Sequence, residues 1–340
     1  MGRKSLDVGF RLDAGAAMGG GHLARCSALA EALRVKDWRS TIYCSEETLG
    51  FLKSNASFDA VRPLREEDLA RPEALSGAHD AVVVDHYGLD ADYEDALYAR
   101  HFLCVFSDEA NRMRSCHMLI DQNYGHGADD YKARVPEGCE ILAGSEYVLL
   151  RSQYRDIERP KALTVVTHAR NLLVTMGASD PTDVTGAIVR KLREMAPPEW
   201  TIRVVLGPAY RHVSTIKALA QDWPALEIVV APPYLVNEIK WSHAVLTAAG
   251  STCWELCYLG TPFGVFTLNT GSNINAAQLE EAGIAVDFGQ VPSGSNFVAA
   301  MSRLMNGPER AGMAARAFAL VDGKGALRIC DHMERCLCAA

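Results

Sequence analysis

The stretch from Gly19 to Arg25 reads GGGHLAR and places three glycines directly before a histidine. Glycines without side chains let a ligand approach the backbone closely. His22 would lie in the first turn of a helix, where the helix dipole disfavours the imidazolium and keeps the ring able to accept a proton. Arg25 would lie on a neighbouring side of the same helix. The spacing predicts a substrate-binding loop of Gly19, Gly20 and Gly21, with His22 as a catalytic base and Arg25 as a substrate ligand.

Other interpretations of this loop stay open. GGGHLA fits the G-x-G-x-x-A form of a dinucleotide-binding turn, with Glu46 near the end of the next strand as a ribose ligand. In such a turn the glycines follow the strand closely, whereas here residues 13–18 intervene. A purely structural turn, with His22 bonded to loop carbonyls, would also need glycines.

A second polar group follows a buried-strand pattern in VDHYGLD, residues 84–90. Asp85, His86 and Tyr87 come together at the end of this strand, and three polar groups at such a position are poorly explained as core. We assign Asp85 and His86 to substrate binding, and the resemblance given below implies a catalytic role for Tyr87. A turn containing one buried carboxylate is the alternative.

The second half of the chain repeats the logic of strand, loop and helix in AAGSTCWELCYLG, residues 248–260. The small residues Gly250, Ser251 and Thr252 would let a pyrophosphate approach the amides of a helix N-terminus, which is a favourable anion site. Glu255 would then lie where a carboxylate can accept both hydroxyls of a ribose. The alternative is a capping box, in which Thr252 and Glu255 satisfy the helix N-terminus without a ligand.

A further small-residue loop, MGASDP, spans residues 176–181 and also opens a helix. Gly177, Ser179 and Asp180 are candidate substrate-binding residues. Asp180 or Thr182 is the expected N-cap, so both loop and cap would also serve a purely structural purpose.

Hydrophobic patterning predicts the elements that must position these groups. Apolar residues alternate in LDVGFRL, residues 6–12, as in a strand, and from Leu23 they follow one stripe of a helix. Further strands are predicted at STIYC, DAVVVD, FLCVF and MLID, and after a polar connector, residues 151–170, at NLLVTM, IRVVL, EIVV and AVLTAAG. Strands that alternate with helices indicate a parallel sheet, whose ligands bind outside the carboxyl ends of the strands.

We therefore predict an α/β protein of two Rossmann-like domains that face each other across a cleft. The first would span residues 1–155 and the second 166–340, and a chain of 340 residues suits two such cores. A last helix is expected at about residues 326–337, and the sequence leaves open whether it packs back on the first domain.

Composition excludes several classes of function. The formal net charge of -8 leaves no basic surface for nucleic acid, and no apolar stretch is long enough to span a membrane. No apolar segment follows Arg3 and Lys4 as in a secretory signal, so we expect a cytoplasmic protein. The ten cysteines are scattered and read as reduced core residues. The tail CDHMERCLC reads as a helix rather than a zinc site.

Taken in series, these motifs resemble the hydrolases of pseudaminic acid biosynthesis, which remove UDP from UDP-2,4-diacetamido-2,4,6-trideoxy-β-L-altrose. This family has the glycosyltransferase-B fold and is similar to the transferase that makes the peptidoglycan lipid precursor. The resemblance covers nearly the whole chain, in the blocks RLDAGAAMGGGHLARCSALAEAL, VDHYGLD, SDEANRMRSCHMLIDQNYG, SEYVLLRSQYRDI, VTMGASDP, VVLGPAY and AAGSTCWELCYLGTP.

The resemblance implies a UDP-sugar substrate, with UDP on the C-terminal domain and the sugar facing the N-terminal glycine loop. His22 matches the general base that activates water, Tyr87 borders the sugar, and Glu255 matches the ribose ligand. Arg11 and Asp13, in the first block, are assigned to substrate binding. The resemblance implies no metal and no cofactor. A glycosyltransferase of the same fold and a catalytically silent nucleotide-sugar binding module are the competing functions, and the oligomeric state is not predicted.

One block departs from the family. Gly271 and Ser272 stand where the family usually has an Asn-Gln pair, in a segment expected near the phosphates or the sugar. Asn269 or Asn273 would have to compensate, and we assign Asn273 to substrate binding. The departure bears on the choice between hydrolysis and transfer.

Overall fold

The computed structural model of the chain describes residues 5–15, 18–52, 57–157, 159, 163, 168–195, 197–268, 274–290 and 294–338. These residues belong to two compact units. The first unit combines Met1–Ser152 with Gly323–Ala340, and the second is Gln153–Asp322. The expected second domain, 166–340, therefore differs from the observed unit at its end, because the final segment belongs with the first unit.

The strands and helices follow one another in the alternation that the sequence predicts. The strands are β1 (Asp7–Leu12), β2 (Arg39–Cys44), β3 (Ala60–Pro63), β4 (Ala81–Asp85), β5 (Phe102–Phe106), β6 (Met118–Asp121), β7 (Glu140–Ala143), β8 (Asn171–Thr175), β9 (Thr201–Leu206), β10 (Leu226–Val230), β11 (Ala244–Ala248), β12 (Phe263–Phe266) and β13 (Val286–Asp287). The helices are α1 (Gly21–Val35), α2 (Glu46–Leu52), α3 (Ala91–Tyr98), α4 (Ala128–Tyr131), α5 (Ser152–Arg155), α6 (Val184–Met195), α7 (Val213–Ala220), α8 (Leu235–Trp241), α9 (Thr252–Leu259), α10 (Ala276–Glu281), α11 (Gly294–Met305), α12 (Gly307–Leu320) and α13 (Gly325–Cys338). Short 3-10 turns lie at Glu66–Asp68, Pro72–Ala74 and Ser145–Tyr147.

Each unit is built on one parallel sheet. The first unit has the strand order β3-β2-β1-β4-β5-β6-β7, and the second has β10-β9-β8-β11-β12-β13. In both sheets the chain starts in the middle, runs to one edge, and returns past the starting strand to the other edge. This reversal opens a crevice at the carboxyl ends of the two central strands, where doubly wound proteins bind ligands. The predicted fold of two Rossmann-like domains is confirmed.

The sheet of the first unit is buried on both faces. All five residues of β4 are buried. Val83 packs on one face of the sheet with Phe10 and Ile42, whereas Val82 and Val84 pack on the other. Burial on both sides accounts for the continuous apolar run of this strand, because both faces of a parallel sheet are covered. The strand ends in Asp85, so a buried, rigid strand fixes the position of that carboxylate.

The last helix packs against the first unit. Ile329 and Met333 of α13 are fully buried in the same apolar cluster as Leu29 and Leu33 of α1. Lys36, directly after α1, forms an ion pair with Glu334. α1, the helix that follows the glycine loop, is thus packed against α13, which supports the position of His22.

Candidate functional site

His22 lies in the first turn of α1, as predicted, and is only 5% exposed. Its Nε2 atom is 3.7 Å from Oδ1 of Asp85, at the end of β4. In the part of the chain that the structure describes, the buried Nδ1 atom has no hydrogen-bond partner. The neighbouring carboxylate favours the tautomer with the proton on Nε2, which leaves the Nδ1 lone pair available to accept a proton.

Burial favours the neutral form of His22. Burial lowers the pKa of His22 below its ordinary value, the negative charge of Asp85 opposes this shift, and the positive charge of Arg25 adds to it. The predicted direction of the shift is confirmed, although its main cause is burial rather than the helix dipole. A buried neutral imidazole with an unused lone pair is suited to act as a general base.

Arg25 does not reach out towards a ligand, in contrast to the expectation from the sequence. Its guanidinium donates two hydrogen bonds to Asp85, at 2.7 and 2.6 Å, and two to Asp108, at 2.7 and 2.9 Å. Four of the five N–H donors of an arginine are thereby used on two buried carboxylates. The positive charge of Arg25 holds the pKa values of both carboxyls low against the effect of burial. Arg25 therefore positions Asp85, the carboxylate beside His22.

Asp108, after β5, and Asn123, after β6, belong to the same group, and sequence reasoning missed both. Tyr87 donates its hydroxyl to Asp108 at 2.8 Å, and Asn123 donates its amide to the same carboxylate at 3.0 Å. The ring of Tyr87 makes an edge contact with His22, with centroids 4.4 Å apart, while half of the residue is exposed. The signal that could have found these residues is the sequence FSD followed by LIDQN, two polar turns that end neighbouring parallel strands.

These groups occupy the crevice of the first sheet. His22 follows β1 and Asp85 ends β4, and these are the two adjacent strands from which the chain proceeds in opposite directions. The structure thus brings His22, Asp85 and Tyr87 together at the point where the strand order favours a ligand site.

Arg11, Asp13 and His86 form a separate, inward-facing group. The carboxylate of Asp13 accepts from Arg11 at 2.8 Å and from the backbone N–H of Ser45 at 2.6 Å. Nε2 of His86 lies 3.3 Å from Oδ2 of Asp13. Burial raises the pKa of Asp13, but the bond to His86 and the positive charge of Arg11 outweigh burial and hold this pKa well below its usual range. Thr48 Oγ1 accepts from the backbone N–H of Ala14. These contacts anchor the start of the glycine loop, and a direct role in substrate binding stays a prediction.

Among the described residues, the glycine loop has open space beside Gly19 and Gly21. Gly15 and Gly19 pair through two backbone hydrogen bonds, and Gly19 has a φ of 77° that only glycine adopts easily. Gly21 has no positive φ, yet no described atom lies within 4 Å of where its Cβ would be. The turn therefore requires glycine at Gly19, whereas at Gly21 the absence of a side chain only keeps space free next to His22.

In the second unit, Glu255 lies in the first turn of α9 and is buried. The capping box does not form as Thr252 with Glu255, because α9 begins at Thr252 and its N-cap is Ser251, whose side chain makes no cap hydrogen bond. Tyr154 donates its hydroxyl to Oε2 of Glu255 at 2.7 Å. A Cβ added at Gly250 would meet no described atom within 4 Å apart from its chain neighbours.

The loop after β8 is held mainly by its own aspartates. Asp180 accepts from the backbone N–H groups of Val184 and Thr185, at 3.0 and 2.7 Å. Asp183 directly precedes α6 and accepts from Gly186 at 3.1 Å, so it takes the N-cap place that we expected of Asp180 or Thr182. Asp180 is thus bound to the helix N-terminus. Gly177, with a φ of 88°, and Ser179 stay candidate ligands.

Three other sequence features are the segment around Asn273, the cysteine-rich tail and the possibility of a membrane span. Asn269, Gly271, Ser272 and Asn273 lie outside the described residues. No group of three or more metal-binding side chains occurs within the described ranges, and Cys330 is buried in the core of the first unit. None of the helices that the structure describes has the length and apolar character to cross a membrane.

Comparison with known proteins supports the fold and relates the chain to enzymes that act on UDP-sugars. No protein-family model matches the chain. It is 23% identical to the spore coat polysaccharide biosynthesis protein SpsG of Bacillus subtilis, over 95% of this chain and 96% of that protein. It is 20% identical to the UDP-2,4-diacetamido-2,4,6-trideoxy-beta-L-altropyranose hydrolase of Campylobacter jejuni, over 83% of this chain and 99% of that protein.

A solved structure shares the architecture at lower identity. The UDP-GlcNAc 2-epimerase of Neisseria meningitidis, bound to UDP-GlcNAc, matches with a TM-score of 0.60 and 12% identity, covering 97% of this chain and all of that one. The chain is therefore similar, over most of its length, to a UDP-sugar hydrolase in sequence and to a UDP-sugar epimerase in fold.

Proposed function

We propose that the protein is an enzyme that hydrolyses a UDP-sugar to UDP and the free sugar. The observation that carries this proposal is the buried, neutral His22, with an unpartnered Nδ1 atom among the described residues and a carboxylate beside Nε2. The similarity to the Campylobacter hydrolase supports a UDP-sugar substrate and makes UDP-2,4-diacetamido-2,4,6-trideoxy-β-L-altrose the first candidate. We further propose, from the resemblance stated above, that the reaction belongs to pseudaminic acid biosynthesis and takes place in the cytoplasm.

In the proposed reaction a water molecule attacks the anomeric carbon of the sugar. As the new carbon–oxygen bond forms, the water gives a proton to Nδ1 of His22, and the bond from the anomeric carbon to the diphosphate breaks with its electron pair leaving on UDP. The imidazolium formed is stabilised by Asp85, whose position Arg25 fixes. Tyr87 is half exposed and contacts the imidazole through its ring edge, and we propose that a shift of its side chain admits water to His22.

The second unit would hold UDP. The open backbone at Gly250 and the N-terminus of α9 would take the diphosphate through N–H groups, because a helix N-terminus attracts anions. Glu255 would accept the ribose hydroxyls, with Tyr154 holding one of its oxygens in place.

Glu255→Ala is expected to weaken UDP binding by about tenfold or more, because hydrogen bonds to a charged group contribute about 1.5–3 kcal/mol each. Calorimetric titration with UDP measures the effect. Tyr154→Phe is the matched control, since it removes one internal partner of Glu255 but no ribose contact. Equal UDP affinity in wild type and Glu255→Ala would mean that the carboxylate has an internal structural role and does not bind the ribose.

The pH dependence of turnover should follow His22. Because burial lowers the pKa of His22, the ring stays neutral below the ordinary histidine range, and kcat should fall only when the pH drops through that lowered value. The rate of UDP release, measured from about pH 4.5 to 8 at saturating substrate, tests this expectation. An acid limb at or above the ordinary histidine pKa would contradict it.

A panel of UDP-sugars tests the function itself. Wild-type protein should release UDP from one member without an added acceptor, and the altrose derivative named above is the first choice. Gly271 and Ser272, in place of the family's Asn-Gln pair, favour a glycosyltransferase as the second candidate. Turnover that requires an acceptor would establish that candidate instead, whereas UDP binding without turnover on any substrate would indicate a binding module.

A further inference from the structure

A second histidine, His126, lies after β6, at the same edge of the first unit's sheet. Its Nδ1 atom and Oδ2 of Asp121 are 2.5 Å apart, and Tyr131 donates its hydroxyl to the same oxygen at 2.7 Å. The other oxygen of Asp121 accepts from the backbone N–H and the side-chain amide of Asn123, at 2.9 and 2.8 Å. Asp121 is fully buried, so its carboxylate is fixed by four hydrogen bonds.

The groups that face His126 favour its charged form. They are Asp121 on β6, Asp130 and Tyr131 on α4, and Asp108 after β5. The hydrogen bond to Asp121 raises the pKa of His126, and burial opposes it. The side chain is 29% exposed, and within the described part of the chain its Nε2 atom has no hydrogen-bond partner. A protonated His126 therefore presents one unused N–H donor.

His126 is tied to the His22 group through one residue. The amide of Asn123 donates to both Asp121 and Asp108. Asp108 in turn holds Arg25 and Tyr87. The two histidines therefore belong to one continuous hydrogen-bonded framework along the ends of β4, β5 and β6.

We propose that His126 binds the sugar part of the substrate, with Nε2–H donating to a neutral oxygen, either an acylamino carbonyl or a hydroxyl. The proposal rests on the proposed function and extends it to substrate recognition. The net charge of this framework distinguishes a charged ligand from a neutral one. The framework contains three carboxylates, those of Asp85, Asp108 and Asp121, and two cations, Arg25 and His126. This excess of negative charge disfavours a diphosphate at His126 and favours an uncharged acceptor.

His126→Gln should raise KM about tenfold with little change in kcat, because a hydrogen bond from a charged donor is lost while His22 is untouched. In wild type, KM should rise as the pH passes the raised pKa of His126, and this alkaline rise should be absent from the variant. Asp121→Asn should move the rise to lower pH. His332→Gln is the matched control, since His332 also pairs with a carboxylate, Glu140, at the start of β7.

NMR titration of His126 in the substrate-free protein separates the two proposals. If no UDP-sugar is turned over, the proposed function fails, while a raised His126 pKa that falls in Asp121→Asn still supports the charged donor. If turnover occurs and His126→Gln keeps the wild-type KM across the pH range, the inference is overturned. Sugar analogues that lack the acylamino group or one hydroxyl identify the acceptor, because the KM difference between variant and wild type disappears for the analogue without the contacted oxygen.

Discussion

His22→Gln is expected to lower kcat by at least about a hundredfold while UDP binding stays nearly unchanged, because a positioned general base contributes about 10² to 10⁴ in rate. Glutamine keeps a polar side chain of similar length but takes no proton at neutral pH. UDP is assigned to the second unit, so turnover and affinity should separate. Initial rates of UDP release and calorimetric UDP titration measure the two quantities on one preparation.

His79→Gln is the matched control for this experiment. His79 is also buried and bonded to a carboxylate, that of Asp7 at the start of β1, and its other nitrogen lies 2.8 Å from the hydroxyl of Tyr43. His79 therefore lies at the amino ends of the strands, whereas His22 lies at their carboxyl ends. The substitution His79→Gln should affect stability but not kcat. Near-normal turnover in His22→Gln would exclude the general-base role and leave the glycine loop as a binding element.

Local patterns predicted most of the strands, including the four-residue β6, but missed β3, β7, β12 and β13. The strands at the centre of both sheets carry apolar runs that specify them. By contrast, β12 has only four residues, includes Gly264, and shows no period. The reason for that glycine is non-local, since a Cβ there would meet the ring of Phe288 at 2.2 Å. The edge strand β3 is largely exposed, so hydrophobic periodicity does not mark it.

The candidate site was predictable as far as it is local in sequence. His22 and its glycines are adjacent along the chain, and Asp85 and Tyr87 follow one strand. Asp108 and Asn123 join them only because β4, β5 and β6 are neighbours in the sheet. For the same reason the role of Arg25 was misjudged: the sequence shows an unpaired cation on a helix, whereas the fold brings two carboxylates to it from two strands.

Arg25→Met is expected to lower the free energy of unfolding of the first unit by about 3 to 5 kcal/mol, the usual result of removing one partner from a buried ion pair. Asp85 and Asp108 would then stay buried without the guanidinium that donates to both of them, at 1% and 5% exposure. Hydrogen exchange of peptides that cover β4 and β5 measures the loss within this unit, where a global melting temperature would mix the two units.

Arg34→Met provides the matched control, because Arg34 lies on the same helix and pairs with Asp59 at 3.2 Å, but both side chains are substantially exposed. Such a pair contributes about 1 kcal/mol or less.

The pH dependence of the stability loss is a further check on the role of Arg25. In wild type the lowered pKa values of Asp85 and Asp108 stabilise the fold above the ordinary carboxyl range, and this contribution is lost as the pH falls through the lowered values. Without Arg25 the buried carboxyls take up protons more readily. The loss of unfolding free energy in Arg25→Met should therefore shrink as the pH is lowered from about 8 to about 5. A deficit no larger than that of Arg34→Met, or one that does not change with pH, would show that the two carboxylates do not depend on Arg25.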